Sequence, residues 1–120
     1  MSKILIVEDN ALNRALLLAV LKPEGFEILS AENGLQGIDL AQRELPDLIL
    51  MDVMLPGLNG YEATRRLKAE PTTRHIPIIA ITANAVPAER ERALDAGCDG
   101  YIAKPIDTRA LPHQVRVFLR

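Results

Sequence analysis

Five short apolar runs alternate with five longer amphipathic stretches along the chain. The apolar runs are KILIV, FEILSA, DLILM, IPIIAIT and GYIAK, and most are continuous and rich in β-branched residues. Such runs are typical of strands that are covered on both faces. The amphipathic stretches between them predict helices over roughly residues 11–22, 34–44, 59–69, 87–96 and 108–119. This alternation predicts an α/β fold, in which five βα units form one parallel sheet with helices on both faces.

Prolines and glycines mark several of the predicted helix ends. Pro87 suits the first turn of the fourth helix, and Gly97 lies where the C-terminus of that helix favours a left-handed residue. Pro112 instead falls inside the last helical pattern, so that helix either starts late or kinks there. Gly37, inside the second helix, costs about 1 kcal/mol relative to alanine.

The composition is that of one globular domain. The chain has 120 residues, 48% hydrophobic and 25% charged, with a formal net charge of −2, and this length allows one core rather than two. The mild acidity argues against nucleic acid as a partner, and no apolar run approaches the length of a membrane span. The N-terminus does not resemble a signal peptide, and the single cysteine, Cys98, allows no internal disulfide. We therefore expect a cytoplasmic protein.

Polar side chains with complementary chemistry end four of the five predicted strands. Strand one ends in Glu8 and Asp9, strand three in Asp52, strand four in Thr82, which Ala83 follows, and strand five in Lys104. In open parallel sheets, ligands bind outside the carboxyl ends of the strands. We therefore expect three carboxylates, one hydroxyl and one ammonium group to meet at one edge of the sheet.

This group of side chains suits phosphoryl transfer. Clustered carboxylates repel one another and favour a bound cation, and oxygen ligands suit Mg²⁺. A carboxylate such as Asp52 can attack phosphorus and form an aspartyl-phosphate. Lys104 and the Thr82 hydroxyl would each hold one phosphoryl oxygen, and the backbone N–H of Ala83 would serve a third.

Each of these residues also has a plain structural explanation when taken alone. Glu8 and Asp9 can solvate a strand end ahead of a helix. Thr82 can be an ordinary β-branched strand residue, and Lys104 a surface lysine. The combination favours the functional explanation, because four of the five strand ends carry a suitable group in a matching order.

Together these motifs resemble the response-regulator receiver domain of two-component signalling. The matching segments are ILIVEDN with its acidic pair, DLILMDVMLPGLNGYE around the acceptor, PIIAITANA with the threonine, and GCDGYIAKPI with the lysine. The resemblance covers essentially the whole chain. It implies a flavodoxin-like, doubly wound (βα)5 fold with strand order 2-1-3-4-5. It also implies that Asp52 accepts a phosphoryl group from a histidine kinase or a histidine-phosphotransfer protein.

The resemblance implies a magnesium site at the acceptor. By the family pattern, Asp9, Asp52 and the backbone carbonyl of Met54 would bind Mg²⁺ directly, and Glu8 would act through water. Many family members have aspartate at the position of Glu8, and the longer side chain should still suit a water-mediated role.

The resemblance also implies a conformational switch. Thr82 and Lys104 would hold the phosphoryl group, and the ring of Tyr101 would rotate as Thr82 moves. This movement would alter the face formed by helix four, strand five and helix five, where a downstream protein would bind. The peptide bond between Lys104 and Pro105 is expected to be cis, as is usual in the family.

Two residues flank the expected path of water to the phosphoryl group. Met54 lies two residues after the acceptor, and Asn84 lies two residues after the threonine. An apolar side chain at Met54 cannot orient a water molecule, so the sequence predicts slow to moderate self-dephosphorylation.

The first helix carries two apolar stripes, which suggest how partners are bound. The stripe expected to face the sheet consists of Leu16, Leu17, Val20 and Leu21. The second stripe consists of Leu12, Ala15, Leu18 and Ala19. This second stripe is a candidate docking surface for a phosphodonor or for a second copy of the chain, as in a homodimer. Scattered surface leucines, which are common, are the plain alternative.

Three competing interpretations fit the motifs less well. An aspartyl-phosphate phosphohydrolase needs a second acid two residues after its nucleophile, where this chain has Met54. A flavin- or nucleotide-binding domain needs a glycine-rich loop, and the segment VEDNALN after strand one contains no glycine. A receiver used purely as a binding module would normally have lost one of its acids, Thr82 or Lys104.

The sequence therefore predicts a phosphorylated switch rather than an enzyme acting on other molecules. We expect residues 1–120 to form one receiver domain without an output domain, which catalyses only its own phosphorylation and dephosphorylation. Its expected partners are a phosphodonor protein and a downstream protein, not nucleic acid or membrane. The charged segment from Glu89 to Arg92 is interpreted as a solvated face of the fourth helix.

Overall fold

The computed structural model describes residues 2–83 and 86–119, and it confirms the predicted α/β architecture. The strands are β1 (Lys3–Val7), β2 (Glu27–Ala31), β3 (Leu48–Asp52), β4 (Ile78–Thr82) and β5 (Gly100–Ala103). The helices are α1 (Ala11–Leu21), α2 (Gly34–Glu44), α3 (Gly60–Ala69), α4 (Pro87–Ala96) and α5 (Leu111–Phe118). No helix within these two ranges is long and apolar enough to cross a membrane.

The five strands form one parallel sheet with the order β2-β1-β3-β4-β5, as expected. In the register of the sheet, Val7 lies opposite Met51, and Asp52 lies opposite Ile81. The carboxyl ends of β1, β3 and β4 are therefore neighbours at one edge. The strand order reverses between β1 and β3, which is where ligands bind in sheets of this kind.

The sheet divides the hydrophobic core into two layers. On one face, α1 and α5 pack through Leu17, Leu21, Leu111 and Val115. On the other face, α2, α3 and α4 pack through Ala41, Ala63, Leu67, Ala93 and Ala96. Residues of β3 and β4 are buried on both faces, which is why these strands have continuous apolar sequences. Each fully buried leucine or isoleucine contributes about 1.5–3 kcal/mol.

Three asparagines fix the starts of helices at the carboxyl edge of the sheet: Asn10 for α1, Asn33 for α2 and Asn59 for α3. Each side-chain oxygen accepts a hydrogen bond from the backbone N–H three residues later, at 2.8–3.0 Å. Such a cap is worth about 1 kcal/mol. The caps therefore stabilise three of the loops that surround the candidate site.

The last helix starts late rather than kinking at Pro112. Helix α5 begins at Leu111, so Pro112 lies in its first turn, where a missing N–H costs nothing. Before the helix, the Asp107 carboxylate accepts hydrogen bonds from the backbone N–H groups of Arg109 and Ala110, at 3.0 and 3.2 Å. This turn occupies the residues that the pattern had assigned to the beginning of the helix.

The prediction for α1 is correct for three residues and wrong for Leu16. Leu17 and Leu21 are fully buried against the sheet and Val20 is half-buried, whereas Leu16 is 40% exposed. The buried stripe is centred on two leucines four residues apart, and Leu16 is rotated away from it by about 100°.

The exposed apolar surface of this helix, called the α1 patch below, consists of Leu12, Ala15, Leu16 and Ala19. Leu18, which the sequence assigned to it, is half-buried.

Candidate functional site

Asp52 is the last residue of β3, and its carboxylate is almost completely buried at the carboxyl edge of the sheet. Its Oδ1 accepts a hydrogen bond from the backbone N–H of Met54 at 2.9 Å. Its Oδ2 accepts one from the Lys104 Nζ at 3.1 Å. Burying a carboxylate is costly unless it is paired and hydrogen-bonded, and both requirements are met here. Asp52 is thus held in one orientation at the floor of the site.

Glu8 follows β1 and lies beside Asp52, with only 1% of its surface exposed. Its Oε1 accepts a hydrogen bond from the Lys104 Nζ at 3.3 Å, and its Oε2 has no hydrogen-bond partner within the described ranges. Burial is the largest of the effects that together raise the pKa of Glu8 from 4.5 to about 7, and the hydrogen bond with Asp52 and the negative charge of Asp52 act in the same direction. Oε2 of Glu8 is therefore a buried acceptor atom that no described residue satisfies with a well-formed hydrogen bond.

Lys104 joins the two buried carboxylates. Its backbone N–H donates to the Thr82 carbonyl at 2.7 Å, which ties the end of β5 to the end of β4 and directs the side chain across the site. Burial alone would lower the pKa of Lys104, but its bonds to Asp52 and Glu8 outweigh this effect and raise the pKa. The ammonium group therefore stays charged. The bond between Lys104 and Pro105 is cis, as expected.

The three acids form a cluster that fits a divalent cation. Glu8, Asp9 and Asp52 each offer a carboxylate oxygen, and these atoms lie within 4.8 Å of one another. Asp9 is exposed, so its side chain is free to turn toward an ion. One ammonium group cannot balance three carboxylates, and Glu8 Oε2 has no hydrogen-bond partner among the residues that the structure describes. These oxygen donors suit Mg²⁺.

The remaining site residues line an open cleft of about 710 Å³ at the same edge of the sheet. Thr82 is buried at the end of β4, and Ala83 follows it at the surface; both line the cleft together with Asp9 and Met54. The structure thus brings together the predicted acids, threonine and lysine. Asn84, predicted to flank the path of water, lies outside the described residues.

Tyr101 lies apart from this cleft. It is half-buried on β5, opposite Ala80 of β4, and lines a separate groove of about 350 Å³ between α4 and α5. Leu94 of α4 and Val117 of α5 lie exposed along the same groove. Tyr101 does not line the cleft that holds Thr82. Its expected role is therefore to transmit the movement of Thr82 rather than to contact the phosphoryl group.

The sequence interpretation missed Gly60, which allows the acceptor and α3 to pack closely. A Cβ atom on Gly60 would lie 2.2 Å from the Asp52 carbonyl oxygen and 2.7 Å from the Val53 Cα. The backbone N–H of Gly60 also donates to the Val53 carbonyl at 3.2 Å. The first residue of α3 therefore packs directly against the end of β3, which carries the acceptor. The glycine after a capping asparagine was the available signal.

The sequence interpretation also missed a polar contact between α3 and α4 at the wall of the cleft. The hydroxyl of Tyr61, a buried residue, donates to Glu89 Oε2 at 2.5 Å. Arg92 forms an ion pair with Glu89 at 3.2 Å and lies over the Tyr61 ring, 4.8 Å from its centroid. The segment from Glu89 to Arg92 is therefore not solvated throughout, as the sequence suggested: its first and last residues pack on Tyr61.

Comparisons with known proteins identify the family of this chain. Residues 4–116 match the family model of the response regulator receiver domain. The polar-differentiation response regulator DivK of Brucella anthropi is 42% identical over 116 residues, which cover 97% of this chain and 94% of that protein.

Two solved structures show the same fold. The receiver domain of the sensor histidine kinase PA1611 of Pseudomonas aeruginosa, which holds a magnesium ion in its active-site cleft, is 40% identical with a TM-score of 0.91. The match covers 98% of this chain and 97% of that one. The chemotaxis protein CheY4 of Vibrio cholerae is 25% identical with a TM-score of 0.94, and 99% of each chain is covered. The chain belongs to the response-regulator receiver domains of two-component signalling.

Proposed function

We propose that this receiver domain accepts a phosphoryl group at Asp52 and thereby changes its affinity for a downstream protein. The observation that carries the proposal is the single ammonium group of Lys104, which reaches both buried carboxylates, Glu8 and Asp52, at 3.3 and 3.1 Å. This arrangement pairs the acceptor carboxylate with a positive charge. It also leaves a cation in place for the additional negative charge of a phosphoryl group.

The reaction needs positioning and charge neutralisation more than acid–base catalysis. A carboxylate oxygen of Asp52 attacks phosphorus, and the bond from phosphorus to the donor's imidazole nitrogen breaks. Lys104 then pairs with one phosphoryl oxygen, while the Thr82 hydroxyl and the Ala83 N–H donate to the others. The domain catalyses only its own phosphorylation and dephosphorylation in this proposal.

Mg²⁺ is part of the proposal, with Asp9, Asp52 and the Met54 carbonyl as its direct ligands. Glu8 takes part through water, which would satisfy its unpaired Oε2. The ion would supply positive charge that offsets the three carboxylates and the incoming phosphoryl oxygens.

The proposed phosphodonor is a histidine kinase or a histidine-phosphotransfer protein, and the α1 patch is its proposed docking surface. Leu12 is 81% exposed in the first turn of α1, close in the chain to Asp9 at the cleft. Met54, in the loop after the acceptor, is 73% exposed, and Val86 at the start of α4 is 44% exposed. Met54 lines the cleft, and Leu12 and Val86 lie on the segments that follow β1 and β4 at the same edge of the sheet, which a donor histidine must approach. A homodimer through the α1 patch is the alternative occupant.

The proposed output surface is the face of α4, β5 and α5. Thr82 at the end of β4 and Tyr101 in β5 belong to paired strands, so a shift of Thr82 toward the phosphoryl group opens space that the Tyr101 ring can enter. A coupling of about 1–3 kcal/mol is enough to change partner affinity many-fold. A cytoplasmic location also belongs to the proposal, since Cys98 is a free thiol.

The proposed function is tested by measuring intact mass after brief exposure to acetyl phosphate, with and without Mg²⁺. We expect wild type to gain one phosphoryl group only with Mg²⁺, and Asp52→Asn to gain none. Asp39→Asn is the matched control, because Asp39 is exposed on α2 and pairs only with Arg43 among the described ion pairs.

Two results would contradict the proposal. A phosphoryl group gained by Asp52→Asn would place the acceptor elsewhere. A folded wild type that gains none, from either acetyl phosphate or a phosphorylated histidine-phosphotransfer protein, would indicate a binding module that works without phosphorylation.

A further inference from the structure

Arg14 of α1 turns back and binds the main chain of the two adjacent acids. Its Nη1 donates to the Glu8 carbonyl at 2.8 Å and to the Asp9 carbonyl at 3.2 Å. Its Nη2 forms an ion pair with Glu32 at 3.3 Å. The Arg14 side chain is only 17% exposed, so the guanidinium is packed into the turn between β1 and α1 rather than extended into solvent.

The second anchor of Arg14 is itself fixed to another loop of the site. Glu32 directly follows β2, and its backbone N–H donates to Gln36 Oε1 at 2.7 Å. The Gln36 N–H in turn donates to the capping side chain of Asn33 at 2.8 Å. The turn that carries Glu8 and Asp9 is therefore connected through one arginine to the start of α2.

The two acids of this turn lie close to each other and to the carboxylate of Asp52. The carboxylates of Glu8, Asp9 and Asp52 have oxygens within 4.8 Å of one another, and like charges at such distances repel. Arg14 does not bond to any of these carboxylates; its two bonds in the turn go to backbone carbonyls. It therefore fixes where the acids lie without neutralising them directly.

We infer that Arg14 is a positioning residue for the metal site: it holds the turn from Glu8 to Asp9 in the conformation that binds Mg²⁺, before the ion arrives. The inference rests on the proposed function, because it assigns Mg²⁺ to this cluster. Partners that orient metal ligands commonly change metal affinity by 10- to 100-fold when removed. For a partner that acts on the backbone we expect about tenfold, the lower end of that range.

Charge and geometry predict opposite effects, which makes the inference testable. If Arg14 acted only through its positive charge, removing it would strengthen the binding of a cation nearby, and lysine would substitute for it. If Arg14 acts by positioning, both a neutral residue and lysine weaken Mg²⁺ binding, because neither can bridge two carbonyls and Glu32 with one planar group.

The experiment is a Mg²⁺ titration followed by the amide chemical shifts of the site, on wild type, Arg14→Met and Arg14→Lys. Arg43→Met is the matched control, because Arg43 is also a helical arginine paired with one carboxylate, but it lies exposed on α2 and its partner is Asp39 of the same helix. Thermal unfolding in Mg²⁺-free buffer measures stability separately. We expect about tenfold weaker Mg²⁺ binding in both Arg14 variants and no change in the control.

Each other outcome overturns the inference. Unchanged or tighter Mg²⁺ binding in Arg14→Met and Arg14→Lys, with wild type binding normally, rejects it and leaves the proposed function intact. A lower unfolding temperature with unchanged Mg²⁺ affinity would make Arg14 merely structural. Absence of Mg²⁺ binding in wild type would reject both the inference and the metal assignment. If Arg14→Met does not fold, Arg14→Lys decides.

Discussion

At the scale of single residues, the site combines two buried acids with one lysine, and Glu8 is the less satisfied acid. The pKa of Glu8 is raised to about 7, with burial as the main cause. Because the folded-state pKa lies above the ordinary value of 4.5, the protonated form of Glu8 is favoured in the folded protein. The stability that the folded protein gains from this raised pKa is therefore full below about pH 4.5 and is lost as the pH rises through about 7.

This shift predicts that Mg²⁺ binding depends on pH. Binding near Glu8 requires the ionised carboxylate, so a proton must leave first. With the pKa at about 7, we expect Mg²⁺ affinity to fall about tenfold from about pH 8 to about pH 6. Titrations at several pH values measure this, and the dependence should disappear in Glu8→Gln. A dependence that persists in that variant would assign the proton to another group.

Met54 is predicted to slow the loss of the phosphoryl group. Its side chain is 73% exposed beside the cleft and cannot orient an attacking water molecule. We expect Met54→Asn to lose phosphate roughly tenfold faster than wild type, which is modest for a positioned polar group. Phosphoryl lifetime after removal of the donor measures this. Met54→Ala is the control, because it shortens the side chain without adding a polar atom; if it accelerates loss equally, steric shielding is the cause.

At the scale of helices and strands, close packing explains two glycines that local propensity does not. Propensity alone treats Gly37, inside α2, as a cost of about 1 kcal/mol relative to alanine. In the structure, a Cβ atom there would lie 2.8 Å from a methyl group of Val7 on β1. Gly60 is restricted even more severely, since its neighbour is the backbone of Asp52. Sequence reading identified the helices but could not identify the contacts.

Gly37→Ala is therefore expected to destabilise the protein, although it improves helix propensity. Overpacking typically costs about 1–3 kcal/mol, which exceeds the gain in propensity. Chemical denaturation measures the change in the free energy of unfolding. The double variant Gly37→Ala/Val7→Ala should be more stable than the sum of the two single changes predicts, because the shortened Val7 side chain makes room for the new methyl group. Additive effects would show that the contact is not the cause.

The contact between α3 and α4 has its own expected signature. Burial raises the pKa of Tyr61 to about 12, and its hydrogen bond to Glu89 acts in the same direction. The folded-state pKa exceeds the ordinary value of 10, so this stabilisation is full below about pH 10 and is lost as the pH rises through about 12.

Alkaline titration of tyrosine absorbance tests this contact. We expect one tyrosine to ionise only near pH 12, and this late phase to be absent in Tyr61→Phe. Glu89→Gln should shift the phase to lower pH, because it removes the negative charge that opposes ionisation. If Tyr61→Phe retains the late phase, the protected tyrosine is not Tyr61.

At the scale of the whole molecule, the reacting edge and the proposed docking surface lie next to each other. The α1 patch begins at Leu12, and α1 starts directly after the turn that carries the acids. Between Arg14 and Lys22, the helix carries no charged residue. A protein donor can thus contact the patch and the cleft at once, whereas a small donor needs only the cleft.

Leu12→Arg is expected to slow phosphoryl transfer from a protein donor at least severalfold and to leave transfer from acetyl phosphate unchanged. The reason is that the new charge would be buried at the interface but lies outside the cleft. Comparing the two donors measures the difference.

Leu45→Arg is the control, since Leu45 is also exposed but follows α2 at the far end of the molecule. Equal slowing with both donors would mean that the change disturbs the site itself. If Leu12→Arg slows neither donor, the patch is not the docking surface.

The sequence by itself determined the order and type of the elements and the five residues that end β1, β3, β4 and β5 with reactive groups. It could do so because strand burial, helix amphipathicity and Pro or Gly punctuation are local signals. Helices α2 and α4 have the predicted bounds, and α5 differs because the Asp107 turn competes with helix formation.

Only the tertiary structure decided how these groups meet. Lys104 and Glu8 are 96 residues apart in the chain, and their contact depends on strand order and register. The same is true of Arg14 with Glu32, of Tyr61 with Glu89, and of the raised pKa of Glu8, which arises from burial. The physical reason is that desolvation and pairing energies depend on distances between segments. The pattern of residues along one segment does not determine those distances.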